Sequence, residues 1–85
     1  MEEKDIRAKL TKMLKEIEEE EFEDEEPKEI TDDAHFFKDL ELDSMMLLNL
    51  GAEIEQEFDI EIPEEEYQSM ISISETAKLV KKLLG

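Results

Sequence analysis

The chain has 85 residues, of which 27 are acidic and 10 basic, for a formal net charge of −17, and it contains no cysteine. A chain this short is one small domain, burying only about 60% of the surface it exposes when unfolded, which argues against a deep enclosed active site. The missing cysteines exclude a disulfide framework and a thiolate metal site, and the charge argues against nucleic acid and anionic membranes and for basic protein surfaces as partners.

No apolar run approaches the roughly 20 residues of a membrane span, and the opening MEEKDIRAKL is acidic where a secretory signal is basic. A cytoplasmic, monomeric protein without membrane insertion is expected. Ile6, Leu10, Met13, Leu14 and Ile17 fall on one stripe at helical spacing, which predicts a helix over 5–17 with Asp5 as its N-cap. Residues 18–29, EEEEFEDEEPKE, are then too densely charged to continue it, and Pro27 disfavours helix just before it. They predict a solvated acidic loop, with at most a frayed helical start, within a single domain over 1–85, with Phe22 as its one anchor to the core.

Residues 30–43, ITDDAHFFKDLELD, have neither period. Ile30, Phe36, Leu40 and Leu42 nevertheless recur along them, as in a long loop that crosses a bundle and packs on it. His35 is the only histidine and has no second ligand near it, so a surface or loop-packing role is expected. A second helix follows over 44–58, with Ser44 as N-cap and Asp43 placing negative charge at the positive helix end. Pro63 opens a short helical turn, PEEEYQ. A last helix starts at SISE, where Ser72 and Glu75 have capping-box spacing, and Ile73, Ala77, Val80 and Leu84 mark its buried stripe. These elements make an all-α fold: a small four-helix bundle of three longer helices and one short one, with a long loop between helices 1 and 2.

The second helix has a surplus of apolar residues. At 100° per residue, Leu47, Leu50, Ile54 and Phe58 form a core face that includes Gly51. A mid-helix glycine costs roughly 1 kcal/mol against alanine, which a close approach by another helix or the crossing loop would explain. Met45, Leu48 and Ala52 lie on the opposite side with Asn49, and Met46 falls between the two. One small core cannot take both faces, so the second stripe is expected to be exposed or covered by a partner.

Ser44 has no nucleophile elbow and only His35 as a base, so no catalytic residue is assigned and the chain is read as a non-enzyme. No calcium loop or other metal site is assigned. Glu55, Asp59, Glu61 and Glu64 read as a plain solvated cluster. At a helix N-terminus, however, a serine hydroxyl is exposed where backbone amides and the helix dipole favour phosphate.

The stretch DLELDSM at 39–45, followed at the right distance by EIEQEFDIEIPEEE at 53–66, resembles the acyl carrier proteins, and the match runs from about Ile30 to Leu83. The resemblance implies a carrier of acyl groups, held as thioesters on a 4′-phosphopantetheine arm that a phosphopantetheinyl transferase attaches to Ser44, flanked by Asp43. It implies partner enzymes of fatty acid, lipid or related acyl biosynthesis that carry basic and apolar docking patches. Met45, Met46, Leu48, Asn49 and Ala52 fall on the face that would meet them. Phe36, Leu50, Ile54 and Phe58 fall on family core positions, with an acyl-sheltering cavity between the helices. Met46 and Asn49 replace residues that are usually acidic, which implies a specialised rather than a housekeeping carrier. The alternative is an unmodified acidic helical module that binds a basic partner through the Met45/Leu48 face.

Overall fold

The computed structural model describes residues 2–21 and 29–85, and among them every regular element is helical. Helix α1 spans Glu3–Glu21, α2 spans Ser44–Phe58, a short 3-10 helix spans Glu64–Ser69, and α3 spans Ile73–Leu84. The expected bundle is present, with the long loop between α1 and α2. Helix α1 packs against both α2 and α3, and the short helix packs against α3.

The first helix is longer at both ends than its apolar stripe predicts. Asp5 is no cap, because it lies inside the first turn and its N–H already donates to the Glu2 carbonyl at 3.0 Å. At the other end the glutamates continue the helix to Glu21, so the acidic block is not a loop from residue 18. Glutamate is a good helix former, and Glu18 stands four residues beyond Leu14, which carries it onto the buried face at 6% exposure. Residues 22–28, with Phe22 and Pro27, lie outside the described residues.

The crossing loop is held by backbone bonds as well as by apolar anchors. Phe36, Leu40 and Leu42 are buried in the core and Ile30 packs on its edge. The Phe36 N–H donates to the Ile71 carbonyl at 2.8 Å, and the Ser74 N–H donates to the Asp32 carbonyl at 2.9 Å. These two bonds tie the loop to the start of α3. His35 shapes the loop from within: its Nδ1 accepts from the Phe37 and Lys38 N–H groups at 3.1 and 3.2 Å. Arg7 reaches Asp32 and Lys9 reaches Glu57, both at 3.6 Å, adding exposed ties from α1 to the loop and to α2.

The last helix starts where the capping pattern places it. The Ser72 hydroxyl accepts from the Glu75 N–H at 3.1 Å, and the Glu75 carboxylate reaches Lys78. Its buried side is broader than the four-residue stripe, with Thr76 and Leu79 buried beside Ile73, Ala77 and Val80. Leu84 is an exception to the expectation: it is exposed, in the last turn where α3 ends.

Candidate functional site

The start of α2 is capped by Asp43, and Ser44 is its first helical residue. The Asp43 backbone is extended, and its Oδ1 accepts from the Met46 N–H at 2.9 Å. Its carbonyl accepts from the Leu47 N–H at 3.0 Å. Capping was expected of Ser44, but the carboxylate one residue earlier has the geometry for it. The Ser44 side chain is therefore spared that duty and is exposed. An exposed hydroxyl at the start of a helix fits a phosphodiester, since the helix dipole favours negative charge there.

The two faces of α2 are separated as their spacing predicts, with one change. Leu47, Leu50, Gly51, Ile54 and Phe58 are buried. Met45 and Leu48 are 73% and 57% exposed, and Asn49 and Ala52 are exposed beside them. The crossing loop does not cover this stripe. Met46, expected to extend the apolar patch, is instead buried at 4% exposure, because the core face of α2 is wide enough to take it in. It drops out of any surface that a partner could touch.

Two further apolar residues, which the spacing along α2 does not reveal, lie on the bundle surface. Phe37 and Ile71 are 40% and 38% exposed. Ile71 accepts the backbone bond from Phe36, and Phe37 is the next residue after that donor, so both flank one contact between segments far apart in the chain.

The expected close approach to Gly51 comes from the short helix. A Cβ at Gly51 would fall 2.8 Å from Cζ of Tyr67 and nearer still to its hydroxyl and ring edge. Tyr67 packs on the core from outside and is half-buried. Burial pushes its phenol pKa up, and the negative charge of Glu55 adds to the effect. The Glu55 carboxylate itself accepts from the Ile62 N–H at 2.8 Å, which ties α2 to the segment leading into the short helix.

The surface where α1 and α2 meet is acidic. An open groove of about 310 Å³ is lined by Met13, Glu16, Glu53, Gln56 and Glu57. Desolvation raises the Glu53 pKa, and the charges of Glu16 and Glu20 raise it further. Among the described residues no group of three or more acidic or histidine side chains converges as a metal site, and no helix is long and apolar enough to cross a membrane.

The model of the phosphopantetheine attachment site family matches residues 8–80. The chain is 39% identical over 57 residues to polyketide-8 synthase acyl carrier protein 2 of Streptomyces avermitilis, covering 67% of this chain and 66% of that protein. It is 34% identical over 62 residues to the acyl carrier protein of Phenylobacterium zucineum, covering 73% and 78% of the two. It is also 43% identical over 53 residues to the mitochondrial acyl carrier protein of Saccharomyces cerevisiae, covering 62% of this chain and 42% of that longer protein.

Proposed function

Because the chain belongs to the acyl carrier proteins, which carry 4′-phosphopantetheine covalently and are not catalysts, we propose that Ser44 is the attachment residue and that Met45, Leu48, Asn49 and Ala52 form the face its partner enzymes read. The observation that carries this reading is the division of labour at the start of α2. Asp43 satisfies the Met46 N–H and leaves the Ser44 hydroxyl exposed at the positive end of the helix. The arm supplies a thiol that holds an acyl group as a thioester. The chain's own residues hold the attachment oxygen at a fixed place on the rim of α2 and set an apolar face beside it.

The partners are a phosphopantetheinyl transferase and acyl-transferring or acyl-modifying enzymes of fatty acid or polyketide synthesis, acting on a monomer in the cytoplasm. The net charge of −17 favours basic docking patches, and exposed Met45 and Leu48 favour apolar ones. Asn49 is neutral at a position where charge usually assists recognition. A restricted set of partners follows, as for a specialised carrier. Co-expression with a phosphopantetheinyl transferase and intact-mass measurement test the attachment. One pantetheine-sized increment is expected, and Ser44→Ala removes it. An unmodified mass with several transferases leaves an acidic helical interaction module as the reading that stands.

A further inference from the structure

Three residues mark one seam of the bundle. Gly51 lies seven residues after Ser44, which is about 10 Å along the axis of α2 and about 20° short of two full turns. Glu55 lies eleven residues after Ser44, again within about 20° of the same line. Ser44 is exposed, Gly51 is buried and Glu55 is half-buried, so this line is one border of the buried face of α2. The core side of the border holds Leu47, Leu50, Ile54 and Phe58. An acyl chain that leaves an arm on Ser44 and folds back toward apolar surroundings reaches the core along this border first.

At that point the helix presents no side chain. The space above Gly51 is filled by the ring of Tyr67, so closely that a Cβ on residue 51 would collide with it. The ring comes from the short 3-10 helix, which has no buried residue of its own. The three atoms nearest that point all belong to this one aromatic side chain, supplied from outside α2, with its hydroxyl end closest.

We infer that Tyr67 is a specificity-determining residue: its ring over Gly51 is a plug that keeps an acyl chain leaving Ser44 out of the core between α2 and the short helix. This rests on Ser44 as the attachment residue. A carrier plugged in this way leaves long chains outside the bundle, where core burial neither stabilises them nor shields their thioester. Its cargo is short, or stays in the partner's pocket.

Two experiments separate the plug from the attachment. In the first, four-, eight- and twelve-carbon acyl-pantetheines are loaded from their coenzyme A thioesters by a promiscuous transferase. The thermal midpoint and the rate of thioester cleavage by hydroxylamine are then read. In the parent chain both are the same for all three lengths. In Tyr67→Ala the midpoint rises by about 5 °C from the shortest to the longest chain, and cleavage slows at least about threefold. Tyr67→Phe keeps the ring and behaves as the parent. Tyr67→Val carries the same expectation as the alanine variant with a smaller amplitude, should the larger truncation fail to fold.

In the second, the unmodified chain is titrated with 1-octanol and followed by amide NMR. Saturable shifts at Gly51 and Ile54 are expected in Tyr67→Ala and absent in the parent. Chain-length dependence in the parent, or octanol shifts equal in parent and variant, overturns the plug. Failure of Ser44 to take any arm overturns the attachment, and the octanol titration then still decides whether the ring closes the seam.

Discussion

The Asp43 carboxylate takes one of the amide protons that the start of α2 leaves without an intrahelical partner. Its negative charge also sits at the positive end of the helix dipole. Both effects disappear in Asp43→Ala, which is expected to lose about 1 kcal/mol and to lower the thermal midpoint by about 4–8 °C. Ser44→Ala at the next position removes no cap, so its midpoint stays within the change of about 0.5 kcal/mol usual for a surface site. Thermal melts followed by circular dichroism compare the two. A larger loss in Ser44→Ala than in Asp43→Ala would mean that the serine is the cap after all. From sequence alone either residue suits the cap, since aspartate and serine rank together there. The choice depends on one backbone angle pair at Asp43, and only the folded chain sets it.

At the scale of the element, α2 has a buried side and an exposed side that also carries apolar residues, Met45 and Leu48. Its spacing separates them for every residue well inside either face. Met46 is the residue where spacing is indecisive, because it lies about 200° from Ser44, at the other border of the buried face. Packing decides that it goes inward. Met46→Ala is therefore expected to cost about 2–5 kcal/mol as a core truncation, while Met45→Ala and Leu48→Ala change stability by about 0.5 kcal/mol or less. The exposed pair should act on partners instead: in a binding assay with the transferase, Met45→Gln with Leu48→Gln weakens association without moving the melt. Equal melts for the Met45 and Met46 variants would contradict the burial of Met46.

At the scale of the whole molecule, charge opposes folding. With a net charge of −17, the folded chain brings like charges together, and added salt is expected to raise the thermal midpoint by screening them. Glu53 gives the pH dependence a sign. Its folded pKa is raised, by desolvation first and by Glu16 and Glu20 next, so the folded chain binds its proton more tightly than the unfolded chain does. Stability from this group is fully present below the unfolded carboxylate pKa and is lost as pH rises through the folded value. The midpoint therefore rises as pH falls from neutral toward the upper end of the carboxylate range, and Glu53→Gln reduces that rise. Melts at several pH values, with and without salt, measure both. A midpoint that falls steadily over the same range would contradict the account.

The order of elements, the core face of α2, the cap of α3 and the Asp-Ser pair followed by the acidic Phe58–Pro63 stretch are all legible in the sequence, because each depends on neighbours within a turn or two of helix. Local spacing is a one-dimensional property, and the helix period reads it directly. The continuation of α1 to Glu21, the inward turn of Met46, the exposure of Leu84 and the bond from Phe36 to Ile71 depend on contacts between segments and not on local spacing. Gly51 stands between the two cases. Its cost inside a helix signals that something must come close, but the sequence names no partner for it. That the partner is the side chain of Tyr67, sixteen positions later, is decided only by the tertiary placement of the short helix, which packs against α3 and brings this one side chain over Gly51.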